Sequence, residues 1–155
     1  MRAGYPARMA EPKTKPTDAD VTEFLDAVPD ARRRAEGHAI RALMERVTGE
    51  KPVMWGPTMV GFGTMLYEGK TTSGEWFILG FSPRKAALTI YGVYDDYGPA
   101  DPLFDELGPH TVGKSCLYLK RLDAVDAEVL ERAIWLPVGI LLFGSTLTVA
   151  IAAPR

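Results

Sequence analysis

The spacing of apolar residues changes once along this chain, and that change limits the folds open to it. As far as Val47 apolar side chains recur at intervals of three and four: Val21, Phe24, Leu25 and Val28, then Ala39, Ile40, Leu43, Met44 and Val47. Such spacing lines one face of a helix. From Phe62 onward the interval is two, the period of a strand. The two regimes meet in the stretch from Met54 to Gly63, MWGPTMVGFG, which holds a Trp, a Pro turn and three glycines. Glycine tolerates positive φ and close backbone approach, and Trp and Phe supply large buried area. The helical layer is therefore expected to turn over into a sheet at this stretch.

The helix ends carry their own signals. Thr17-Asp18-Ala19-Asp20 opens the first helix, with Thr17 as cap and the aspartates at the positive end of the dipole. Pro29-Asp30 stops it and starts a second, which runs to about Val47 with Gly49 just beyond its end. Downstream, strands are expected over Phe62–Tyr67, Glu75–Ser82 and Ala86–Tyr94, separated by a polar loop at Glu68–Gly74 and a tight turn at Pro83-Arg84-Lys85. Asp101-Pro102 has the pattern of a cap followed by proline in the first turn. It heads a short helix through Leu103, Phe104 and Leu107, closed by Gly108. A last strand at Ser115–Leu119 and a helix at Asp123–Arg132 complete the pattern. These elements predict one α+β domain: an antiparallel sheet of about four or five strands, two N-terminal helices on one face and a C-terminal helix beside them.

Composition narrows the class. The chain has 155 residues and a net charge of −2, so nothing global draws it to nucleic acid. Its one cysteine, Cys116, excludes an intramolecular disulfide and suits a reducing, cytoplasmic compartment. Residues 1–16 are Pro-rich and charged without an apolar h-region, and are expected to be disordered rather than a signal peptide. Met9 is an alternative start.

Several constellations suggest chemistry. Gly108-Pro109-His110-Thr111-Val112-Gly113-Lys114-Ser115 matches the phosphate-loop pattern. The mechanism, however, needs a strand before the loop and a helix after it, and here that order is reversed. His110 and Cys116, six apart around a turn, are the candidates for an enzymatic alternative. Asp20 and Glu23 on the first helix, with Asp95 and Asp96 in a later loop, are candidate oxygen ligands for weakly bound iron. Arg32-Arg33-Arg34 is expected to be a solvated helix face rather than a phosphate site. Phe62, Trp76, Phe81, Tyr91 and Tyr118 are expected in the core, with a ligand pocket as the alternative. The favoured site is a pocket for a small anion or an acidic protein partner, formed where the turn with Arg84 and Lys85 meets His110, Lys114 and Ser115, with Tyr91 nearby.

Four segments together resemble the YdhG-like domain family: Pro52–Pro57, Val60–Gly63, Gly80–Lys85 and Leu107–Tyr118. This is a bacterial domain family of unknown function, one branch of which is described as a frataxin-like intracellular iron chaperone. The resemblance spans about Lys13 to Arg132. It implies an α+β fold and a cytoplasmic protein, and offers no agreed catalytic residues. The domain is accordingly placed at residues 17–134, and a binding module without a resident cofactor is favoured over an enzyme, with iron as the alternative. Residues 135–155 are an atypical apolar tail. From Ala133 to Pro154 there are 22 residues without a charge. Such a run fits a shifted reading frame, a further strand at Thr146–Ile151, or a membrane anchor of about 20 apolar residues. Without an anchor, no membrane association is expected.

Overall fold

The computed structural model describes residues 13–68, 73–94 and 101–143. Helix α1 (Val21–Asp26) is capped by Asp20, whose carboxylate accepts from the Glu23 backbone N–H at 2.9 Å. The expected cap, Thr17, lies too early and instead accepts from Ala19 N–H at 3.3 Å. Helix α2 (Ala31–Thr48) starts at Asp30, which accepts from Arg33 N–H at 2.8 Å. It ends where Gly49, at φ 69°, turns left-handed and donates to the Glu45 carbonyl.

Among the described residues eight strands follow: β1 (Val53–Trp55), β2 (Met59–Phe62), β3 (Met65–Glu68), β4 (Ser73–Trp76), β5 (Leu79–Pro83), β6 (Leu88–Tyr91), β7 (Thr111–Val112) and β8 (Cys116–Leu119). Six of them form one antiparallel sheet in the order β1-β2-β5-β6-β8-β7. The expected count of four or five misses β1 and β7, which are only three and two residues long. Two expected strands are each broken. Gly63, at φ 68°, separates β2 from β3, and Phe77-Ile78 separates β4 from β5. The segment between the breaks leaves the sheet and pairs with itself as a β3–β4 hairpin, Met65 opposite Trp76 and Glu68 opposite Ser73.

Residues 1–12 of the expected disordered extension lie outside the described residues, and the chain at Lys15 to Thr17 is tied to β1. Pro16 bridges Trp55, Thr17 N–H donates to the Met54 carbonyl, and Gly56 N–H donates to the Lys15 carbonyl. These contacts correct the expected disorder at residues 15 and 16 and cover the outer edge of β1. At the other side of the chain, a 3₁₀ turn (Pro102–Glu106) begins at Asp101, whose carboxylate accepts from Leu103 N–H at 2.9 Å. A second 3₁₀ turn (Leu122–Ala124) precedes α3 (Ala127–Phe143). The last helix thus starts later than expected and continues past Arg132, through Pro137, into the apolar tail. The 134/135 boundary falls inside it. The expected strand at Thr146–Ile151 lies outside the described residues. Among the described residues no helix is long and apolar enough to cross a membrane.

All three helices pack on one face of the sheet. Strand alternation sends Val60, Phe81, Ile90 and Leu117 to that face, where they meet Leu25, Ile40, Met44, Leu130 and Ile134. Burying each such side chain contributes about 1.5–3 kcal/mol. Arg33 fastens α2 to the chain after β8. Its guanidinium donates to Glu36 at 2.9 Å and to the Lys120 carbonyl at 3.2 Å, and Glu36 accepts from Leu122 N–H. Both side chains are buried. The middle arginine of the cluster is therefore structural rather than solvated, and Arg34 is also engaged, donating to the Val28 carbonyl.

Candidate functional site

The sheet face away from the helices has a different composition. Gly61 and Gly80 are direct cross-strand partners, followed across the sheet by Tyr91 and Cys116. Two adjacent glycines leave a flat shelf, and aromatic rings fill it. A Cβ built on Gly61 would lie 2.5 Å from Cδ1 of Trp55 and 2.8 Å from Cβ of Phe77. One on Gly80 would lie 2.8 Å from Cε2 of Phe77. Trp55 and Phe77 are fully buried, yet neither belongs to the helix-side core. Their rings are 5.5 Å apart edge to face, and Trp76 extends the row at 4.6 Å from Phe77. Those distances suit attractive ring contacts. The break at Phe77-Ile78 and the β3–β4 hairpin together put this second, aromatic core in place.

Where the row reaches Tyr91, 5.8 Å from Phe77, the face opens into a cleft of about 390 Å³. Trp76, Phe77 and Tyr91 supply its aromatic walls, Met65 and Ile78 the aliphatic ones, and Gly92 and Ser115 its rim. That volume is at the small end of ligand pockets. Burial raises the pKa of the Tyr91 hydroxyl, while the Arg84 guanidinium beside it, as charge and as donor, pulls the other way. On the neighbouring row, the Tyr118 hydroxyl is also raised, chiefly by its hydrogen bond with the Cys116 thiol. Arg84 forms no ion pair with a carboxylate among the described residues. A larger recess of about 530 Å³ lies by Asp20, Arg41 and Glu45, but its arginine is already engaged, at 3.0 Å from Glu45 and 2.7 Å from Thr22.

The pocket expected from Arg84, Lys85, His110 and Lys114 does not form. Pro83, Leu88 and Leu119 pair at one end of the sheet, and Lys85 sits in the turn there. Gly80, Tyr91 and Cys116 pair at the other end, where Lys114 sits in the β7–β8 turn. The strand between them, Leu88 to Tyr91, spans roughly 10 Å at about 3.3 Å per residue. His110 faces elsewhere. Its Nδ1 donates to the Gly108 carbonyl at 2.7 Å, and its ring packs 6.2 Å from that of Phe104. Of the six expected residues, Tyr91 and Ser115 line the cleft and Arg84 reaches Tyr91.

No protein-family model, curated protein or solved structure matches this chain.

The remaining candidates are placed by the same geometry. His110 and Cys116 do not converge, because Thr111, the next residue after His110, pairs with Tyr118, two positions beyond Cys116. The phosphate-loop pattern is a β-hairpin: Thr111–Val112 pairs with β8, and Gly113 N–H donates to the Cys116 carbonyl. No helix N-terminus follows Ser115, as the residue order predicts. Asp20 is occupied as the cap of α1, with Glu23 contributing the N–H it accepts. Asp95 and Asp96 lie outside the described residues. Among the described residues no three His, Cys, Asp or Glu side chains gather as a metal site. Phe62 and Phe81 are helix-side core, whereas Trp76 and Tyr91 are cleft walls. Met65, Ile78 and Gly92 were not expected in a site. The one signal for them in the sequence is the glycine pair, which demands large neighbours above it.

Proposed function

We propose that this chain is a non-catalytic binding module whose site is the aromatic cleft, and that it takes a small ligand bearing an anionic group. The observation that carries this reading is the preformed apolar cleft itself, one wall of which, Tyr91, has the exposed Arg84 guanidinium beside its hydroxyl. Apolar walls supply contact area, and one guanidinium orients a carboxylate or phosphate through paired N–H donors. A reducing, cytoplasmic setting and membership of the YdhG-like family are part of the same proposal. An antiparallel sheet with helices on one face is what that family implies, and supports it.

Calorimetric screening of small organic carboxylates and phosphates tests the site. Both Arg84 and Lys85 are exposed in the same turn, but Arg84 is the one that acts on Tyr91, so binding should weaken about tenfold in Arg84→Ala and stay within about twofold in Lys85→Ala. Affinity that is lost in Lys85→Ala and kept in Arg84→Ala would place the site elsewhere.

A further inference from the structure

We infer that residues 146–151 of this same chain are the strand that completes the cleft, laid along the free edge of β4 with Leu147, Val149 and Ile151 turned toward the cleft walls. The inference uses the geometry of the cleft and not the ligand proposed for it. The β3–β4 ladder continues the register of β2 and β5: Phe62 lies opposite Leu79, then Met65 opposite Trp76. β4 therefore keeps β3 on the side where β5 has β2. Among the described residues no strand pairs with its other side, where β5 has β6. β6 ends at Tyr91, Gly92 at φ 93° turns the chain away, and Val93 enters the helix-side core. The cleft occupies the place that β6 vacates, with Trp76, Phe77 and Ile78 on the β4 side and Tyr91, Gly92 and Ser115 across from them. A free edge beside apolar walls suits an extended backbone with apolar residues at every second position. The two outer edges of the main sheet do not offer this: Lys15 to Thr17 cover β1, and β7 is two residues long.

The C-terminal tail has that pattern. From Thr146 it reads Thr-Leu-Thr-Val-Ala-Ile, with large aliphatic side chains at 147, 149 and 151 and small or hydroxyl-bearing ones between them. Alternation of this kind marks a strand with one face buried, and Thr, Val and Ile favour extended backbone. The tail also starts at the right end of the molecule. α2 sets Gly37 beside Pro83 at one end of the sheet, and after it Val53 joins the row of Gly61, Gly80, Tyr91 and Cys116 at the cleft end. The chain after β8 follows the same course, since Leu122 N–H meets Glu36 and Glu131 meets Arg46 at 3.1 Å. α3 thus heads for the cleft end, and its last turns, to Phe143, carry it about 18 Å past Glu131. Gly144 and Ser145 allow a turn. The steps from Phe143 to Thr146 span roughly 10 Å, the depth of one packed layer, and residues 146–151 then run back about 20 Å, matching the overshoot of α3. A third strand also relieves the hairpin of standing as two strands alone in water. A docked tail makes the cleft self-occupied, so a small ligand enters it only by displacing residues 146–151.

Amide-resolved NMR of the whole chain tests the docking. Backbone NOEs should join residues 146–151 to Ser73–Trp76, and the tail amides should exchange at least about tenfold more slowly than in a free chain. Val149→Asp should abolish those NOEs and shift the amides of Trp76, Gly92 and Ser115, while Thr148→Asp, on the solvent face, should leave them in place. Free-chain exchange across residues 146–151 with no NOE to β4 would overturn the inference. So would NOEs to Thr111 and Val112 instead, which would put the tail on β7. NOEs seen only between differently labelled copies would overturn it as well, by making a second copy the partner. Equal effects of the two aspartate variants would remove the facing of Val149 and with it the claim on the cleft.

Discussion

Gly61 shows how much one missing side chain decides here. Its φ is not in the positive region, so backbone strain is not the reason for glycine. Space is the reason: a methyl group would meet Trp55 Cδ1 and Nε1 and Phe77 Cβ, all at 2.8 Å or less. Neither ring has free room to move, because both are buried. Gly61→Ala should therefore destabilise the protein by about 1–3 kcal/mol, the usual cost of forcing an extra methyl into packed surroundings. Urea unfolding followed by tryptophan fluorescence reads this out. An unchanged midpoint would mean that Trp55 can swing aside, and the preformed cleft would lose its main support. The glycines were visible in the sequence as a cluster. Their role was not, because a glycine that admits a ring and one that makes a turn look alike without the partner strand.

At the scale of elements, helices were the more readable part. Asp30 and Gly49 bracket α2 with side-chain and backbone caps that act within a few residues, so local sequence suffices. The strands were less so. Phe62 to Tyr67 and Glu75 to Ser82 each keep an extended pattern across the breaks at Gly63 and Phe77-Ile78, and only tertiary packing shows that the chain changes sheets there. The site suffered most. Which end of the sheet a turn occupies depends on strand direction and register, so Lys85 and Lys114 could be paired on paper and are separated in space.

The connection from α2 to the segment after β8 makes a prediction at this same scale. Glu36 is held by Arg33 at 2.9 Å and by Leu122 N–H, and its removal strands a buried guanidinium whose Nε already has no partner. Breaking a buried pair in this way costs about 3–5 kcal/mol. Glu36→Ala should lower stability by that order, whereas Arg32→Ala, an exposed arginine 3.9 Å from Glu36, should change it by less than about half a kcal/mol. Equal effects in chemical denaturation would show that Arg33 and Glu36 act as surface charges.

The whole molecule is a sheet with two unequal coverings, and the inequality has a consequence for dynamics. On one face lie the three described helices and a continuous apolar core whose residues run from Val21 to Ile134. On the other lies a two-stranded hairpin, β3–β4, hydrogen-bonded as a ladder only to itself and carrying Leu66 at 88% exposure. Two strands alone are marginal in water, so this hairpin stays in place through Met65, Trp76 and the rings beneath it. Hydrogen exchange should therefore proceed in two steps. The β3–β4 amides, such as Leu66 and Glu75, should exchange through local opening, while those of Phe81 and Ile90 in the central strands should need global unfolding. Met65 and Trp76 also line the cleft, so a bound ligand should slow exchange in the hairpin more than in the central strands. Equal protection in hairpin and sheet without ligand would show one cooperative unit. Ligand protection that bypasses the hairpin would mean that the cleft is not where the ligand sits.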